Sequence, residues 1–142
     1  MTLKSEERIS IVKYRLEKAF ATIQQAKDVG SIGYWSLAAN RLYYAVYYAC
    51  VALLIHNRIE ASTHKGVIRM IGDKFIRTHI MNPEDSKLLG RLFTMRQTGD
   101  YDDLYDWEES DVAPLIPKVE DFVTRISHLI NLKTEEIKTD EI

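Results

Sequence analysis

Cysteine is almost missing from this chain: Cys50 is the only one among 142 residues. A disulfide within the chain is therefore impossible. A lone thiol inside an apolar run reads as a small core side chain, suited to a reducing cytoplasm. Proline and glycine are also scarce, at three and six residues, and most of them fall between periodic segments. That scarcity excludes a many-turned β architecture and favours long helices. Charge of one sign is not in excess either. The formal net charge is -2, which excludes a protein that coats nucleic acid through a bulk basic field, though not a small local basic site. The N-terminal "MTLKSEERIS" has no apolar core, so no secretion signal is expected. The glycine-rich phosphate loop, CxxC, HExxH and GxSxG are all absent, so no motif indicates a metal or a cofactor. No alternating strand pattern, internal repeat or low-complexity block occurs.

What is present is helical periodicity. Apolar residues make up 46% and charged residues 28% of the chain, ordinary globular proportions for one domain over residues 1–142. Five helical segments are predicted. The first spans about Ser5 to Asp28, with Ile9, Val12, Leu16, Ala19, Ile23 and Ala26 alternating by three and four along one stripe. Gly30 and Gly33 are expected to end it. The second spans about Tyr34 to Asn57, and every residue from Leu42 to Ile55 is apolar or tyrosine. That run is too short and too tyrosine-rich for a membrane span and reads as the central helix of a bundle.

The third helix follows "EASTHKG", capped by Ser62 or Thr63. Gly72 within it implies close packing against a neighbour. The fourth begins at "MNPED", with Asn82 as cap, Pro83 as first helical residue, and Glu84 and Asp85 in the first turn. Gly99 is its expected stop. The fifth spans about Asp111 to Thr134, where Pro117 predicts a late start or a kink. The charged tail, residues 133–142, is expected to fray. The fold class is all-α: an up-and-down antiparallel bundle of four long helices and a shorter one, with its core within about residues 5–132.

Several polar residues stand out against this frame. Arg41, Tyr44 and Tyr48 share one face of the second helix, and Asn40 and Tyr47 share another. They form either a core helix edge or a polar pocket, because an arginine beside so apolar a run needs a counter-ion or a ligand. His64 and Lys65 sit in the first turn of the third helix, where free backbone donors attract anions such as phosphate. Arg96 lies on or beside the inward stripe of the fourth helix, to be paired with an acid, Asp100 or Asp103, or presented in a cleft. His56, His79 and His128 lack metal-ligand spacing and read as surface or edge residues. Seven of the 21 acids crowd into residues 100–111, but the run has no calcium-loop ligand ladder, so no metal site is expected.

"AANRLYYAVYYACVALL", "ASTHKGVI" and "LFTMRQTGDYDD" together resemble, in order and spacing, the small prokaryotic HEPN-domain proteins, across roughly residues 5 to 132. The resemblance implies a helical bundle that dimerises. It also implies a minimal nucleotidyltransferase as partner in a toxin–antitoxin module, and metal-independent endoribonuclease activity through an R-x4-6-H motif. Arg96 matches the motif arginine. The positions where the histidine is due hold Tyr101, Asp102 and Asp103, and His64 is the residue able to substitute. Tyr101 and Tyr105 would be the candidates for nucleotide attachment by such a partner.

The expected function is therefore that of an RNA- or nucleotide-binding HEPN protein of a toxin–antitoxin or nucleotidyltransferase-linked module. The alternative is a non-catalytic helical dimer that binds a nucleotide or a protein. Arg96 and His64 are the catalytic candidates. Arg41, Tyr44, Tyr48, Lys65, Asp100 and Tyr101 are the binding candidates. No cofactor and no membrane are expected.

Overall fold

The computed structural model describes the backbone of residues 4–101 and 106–140 and the side chains of 4–98 and 106–131. Within these residues the regular structure is entirely helical. The helices are α1 (Ser5–Ser31), α2 (Trp35–His56), α3 (His64–Ile71), α4 (Pro83–Tyr101), α5 (Glu109–Val112) and α6 (Leu115–Asp140), and α3 runs on into one π-helical turn, Gly72–Ile76. The long helices α1, α2, α4 and α6 form the antiparallel bundle and α3 is the shorter member, as the periodicity implies. The single turn of α5 is the addition.

Helix α2 is the axis, packing against α1, α3, α4, α5 and α6. Ala38, Ala45, Ala49 and Ala52 on it are fully buried, and these small side chains let its neighbours approach closely. By length and mean hydropathy α2 would suit a membrane span, but most of it is buried inside the bundle. Cys50 is one of its core side chains. The α1 stripe packs as expected, Val12, Leu16, Ala19, Ile23 and Ala26 all being buried, whereas Ile9 is left at the surface.

The boundaries differ from expectation where glycine is concerned. Helix α1 continues through Gly30 to Ser31, and the reversal falls at Gly33, whose φ of 90° is the left-handed conformation that glycine adopts without strain. Gly99 does not stop α4, which continues to Tyr101. A glycine inside a helix costs only about 1 kcal/mol relative to alanine, too little to end one that packing sustains. Gly72 does not mark close packing: a Cβ there would meet nothing within 4 Å. It opens the π turn instead. Helix α6 starts late, at Leu115, which leaves Pro117 in the first turn, where its missing N–H has no intrahelical partner to lose. Helix α6 extends into the charged tail, to Asp140.

One buried ion pair ties α4 to α6. Asp85 is almost wholly buried. It accepts two hydrogen bonds from Arg125, at 2.7 and 2.9 Å, and one from the Asn82 backbone N–H at 2.9 Å. Burial alone would raise its carboxyl, but the Arg125 guanidinium and the Asn82 N–H outweigh this and hold it below the usual carboxylate range. The pair's contribution is therefore present above the ordinary value of 3.8 and is lost as pH falls through the lower folded-state value. Asp85→Asn is expected to destabilise the protein by roughly 2–4 kcal/mol, toward the lower end because Arg125 is partly exposed. Urea unfolding at neutral pH measures the loss, and the difference from wild type should shrink in acid.

Candidate functional site: a tyrosine, histidine and arginine cluster on the central helix

The row Tyr43, Tyr44, Tyr47 and Tyr48 falls at positions one turn apart in pairs, so one long edge of α2 is lined by phenol rings. Tyr43 is the deepest, only 4% exposed. An unpaired hydroxyl at that depth would cost about 1–3 kcal/mol. Its partner is His64: the Tyr43 hydroxyl and His64 Nδ1 share a 2.7 Å hydrogen bond. Tyr47 stacks on the same imidazole with ring centroids 4.1 Å apart. The ring is thus fixed on one edge and one face.

Local chemistry at the start of α3 sets this up. Thr63 Oγ1 accepts from the Gly66 N–H at 2.9 Å, capping the helix. A Cβ on Gly66 would come within 2.9 Å of that same oxygen, so glycine leaves room for the cap. His64 is then the first helical residue and faces α2. Lys65, next to it, is exposed and makes no described contact with the cluster.

Arg96 comes from α4. Its guanidinium carbon stands 5.3 Å from the Tyr43 ring centroid and 5.7 Å from that of Tyr44, within cation–π range. Arg41 approaches Tyr44 at 5.3 Å while donating to Asn40 Oδ1 at 2.8 and 3.1 Å and to Gln25 Oε1 at 3.4 Å. The His64 ring is 6.0 Å from Tyr44. Arg41, His64 and Arg96 therefore all surround the Tyr44 ring, and no two can be further apart than twice that radius. Tyr48 adjoins Tyr44 at 5.9 Å and carries the Lys18 ammonium 4.7 Å from its centroid. The side chains of Asp100 and Tyr101, and residues 102–105 including Tyr105, lie outside the described residues.

The electrostatics are consistent across the group. Burial pushes the Tyr43 hydroxyl well above the usual phenol range, although Arg96 pulls the other way. Tyr47 is raised by burial against the pull of Arg15. Burial lowers His64, and Arg96 lowers it further. The arrangement thus holds protonated phenols, an imidazole biased to its neutral form, and guanidinium groups nearby. It provides anion stabilisation and a proton acceptor in one place. No group of three or more potential metal ligands occurs among the described residues.

A family model described as HEPN domain matches residues 12–129. The chain belongs to the HEPN domain family. It is 35% identical over 124 residues to a "UPF0332 protein" of Thermotoga maritima, covering 87% of this chain and 94% of that protein. A Methanocaldococcus jannaschii protein named "Putative toxin MJ0142" is 26% identical over 110 residues, 78% of this chain and 75% of that protein. A "UPF0332 protein" of Archaeoglobus fulgidus is 29% identical over 122 residues, 84% of this chain and 95% of that protein. The HEPN match includes every residue of the cluster.

Two members of this cluster carry no motif and escape sequence reading: Arg15 and Lys18 of α1. Arg15 acts electrostatically on Tyr47, and its Nε is buried without a hydrogen-bond partner. The signal that reveals them is the pairing of α1 with α2 across the turn. Gln25 and Arg41, and likewise Lys18 and Tyr48, are equally distant in sequence from Gly33, and both pairs are in contact.

The acids after the cluster serve the fold where they are described. Asp106 accepts from Ser36 at 3.3 Å, and the Trp107 N–H donates to the same hydroxyl at 2.8 Å. Asp111 accepts from the Glu108 N–H at 3.0 Å. His79 and His128 are exposed and His56 is partly so. NMR titration of His64 should give a midpoint below the ordinary 6.5. In Arg96→Gln the midpoint should rise but stay below 6.5, because burial remains.

Proposed function

We propose that this HEPN protein is the toxin-like member of a two-component module, that it acts on RNA as a cytoplasmic homodimer, and that its partner is a small nucleotidyltransferase. The observation that carries this reading is the grouping of Arg96 and a neutral-leaning His64 around Tyr44. The name of the Methanocaldococcus relative supports the toxin-like role.

In this reading His64 Nε2 takes the proton of an RNA 2′-hydroxyl while Nδ1–H donates to the Tyr43 oxygen. The 2′-oxygen attacks the adjacent phosphorus, the bond to the 5′-oxygen breaks, and that oxygen receives a proton from the imidazolium. The products are a 2′,3′-cyclic phosphate and a 5′-hydroxyl. Arg96 neutralises the charge that builds on the phosphate oxygens. The nucleophile is internal to the substrate, so the step calls for no metal.

A second reading is favoured by one feature. Tyr101, Asp102 and Asp103 stand where the family motif has its histidine. In that case the same cluster binds RNA or a nucleotide without cutting.

Incubating purified protein with labelled RNA and a chelator separates the two. Cleavage is expected, reduced about 10²–10⁴-fold in His64→Ala and Arg96→Ala. The acid limb of the rate should have its midpoint below 6.5, because His64 works deprotonated and its pKa is lowered. Binding without cleavage would establish the second reading, and neither binding nor cleavage would exclude both. Light scattering at micromolar concentration should give about twice the 16.5 kDa chain mass, and a monomer would refute the dimer.

A further inference from the structure

The cluster around Tyr44 is not closed toward α1. From it an alternating series of rings and cations runs along the seam between α1 and α2. Arg41 lies on Tyr44, Tyr44 adjoins Tyr48, the Lys18 ammonium sits 4.7 Å from Tyr48, and the same ammonium is 5.9 Å from Tyr14. Tyr14 is 58% exposed, so its ring is not needed to fill the core. The residues that these contacts and the Arg41–Gln25 bond place on the seam, Tyr14, Lys18 and Gln25 of α1 and Arg41, Tyr44 and Tyr48 of α2, include no carboxylate. Glu17, exposed like Tyr14 and next to Lys18 in sequence, borders the seam.

We infer that this seam is a track for single-stranded RNA leading away from the Arg96 and His64 cluster, with Lys18 and Arg41 contacting phosphates two to three nucleotides apart and Tyr14 and Tyr48 stacking bases. The inference rests on the proposed RNA-directed function and adds where the flanking nucleotides lie. The spacing fits. Lys18 opposes Tyr48 and Arg41 opposes Gln25, so the two cations are separated by about two helical turns, roughly 10 Å. That distance covers two to three stacked bases at about 3.4 Å each. Phenol rings interleaved with cations form the arrangement that binds single strands without reading sequence, because every base has a face to stack and every nucleotide a phosphate. A second copy of the chain is the less suitable occupant. Tyrosine and arginine are common in protein interfaces but lysine is depleted there, and Lys18 lies within reach of both the Tyr14 and the Tyr48 ring.

The test uses a fluorescent 2′-O-methyl oligoribonucleotide of mixed sequence, which cannot be cut, and measures affinity by anisotropy as a function of salt. Tyr14→Ala, exposed and so harmless to folding, should weaken binding about tenfold with the salt slope unchanged. Lys18→Gln should lower the slope by about 0.7, the value for one phosphate of a single strand. If both variants bind as tightly and with the same slope as wild type, while Arg96→Ala still abolishes cleavage, the track is wrong and the site reading stands. If wild type neither binds nor cuts, both fail. If the variants instead change the mass by light scattering and leave RNA affinity untouched, the seam is an interface between copies and the track is overturned.

Discussion

Burying α2 on nearly every side is the constraint on which this structure depends. A helix with no charge from Leu42 to Ile55 has to be enclosed, and five other helices do so. Enclosure leaves tyrosine as the residue for its edges, because the ring adds apolar surface while the hydroxyl needs a polar partner. Each phenol then recruits something from outside α2. Tyr43, too deep for water, requires His64. Tyr44 takes Arg96 of α4, beside Arg41 of α2 itself, and Tyr48 takes Lys18. The polar cluster is thus a consequence of the core. The same burial that stabilises the helix sets the protonation bias of the groups at its margin.

Most of the fold is legible in the sequence because it is written in local terms. The α1 stripe, the apolar run of α2, the Asn82–Pro83 start of α4 and the Thr63 cap each depend on residues within one or two turns. The features that escaped depend on relations across distance. Asp85 and Arg125 are 40 residues apart, and nothing near Asp85 announces that its partner will come from α6. Arg15 and Lys18 look like ordinary surface cations until the antiparallel pairing of α1 and α2 brings them to Tyr47 and Tyr48. Gly99 misled because a glycine permits a helix end without imposing one, and Gly72 because a glycine inside a helix need not mark a close approach. Arg41, Tyr44, Tyr48, His64 and Arg96 were visible as anomalies, charges and hydroxyls beside an apolar helix. The convergence of Arg41, His64 and Arg96 was implied only by the family resemblance, and Tyr44 as its centre was not legible, because α3 and α4 had first to be docked.

The net charge of -2 conceals a segregation that matters for any polyanion. Arg15, Lys18, Arg41 and Arg96 gather along one edge of α2, while Asp106, before α5, and Asp111, within it, are engaged by Ser36 and by the Glu108 N–H. Screening limits a charge's reach to about 8–10 Å in physiological salt. An incoming anion therefore responds to the local group and hardly to the total. A near-neutral protein can accept a nucleic acid at such a place.

The same edge bears on how proton transfer would proceed once the motif histidine is gone. A base must first be placed, and only then does its pKa matter. His64 is placed by the Tyr43 bond and the Tyr47 stack, independently of the segment that follows Arg96. Burial and Arg96 both lower its pKa. This weakens it somewhat as a base but strengthens the imidazolium that forms when it accepts a proton. A single histidine with this bias suits a reaction in which the proton taken from the attacking oxygen is returned to the leaving oxygen, since the second transfer gains what the first loses. In the proposed reaction Arg96 would serve both halves, stabilising the charged phosphate and helping to drive the proton off the imidazolium. In the proposed reaction the chemistry would then depend on two helix-borne side chains and a buried phenol. The Tyr101, Asp102 and Asp103 positions would be free to take other residues.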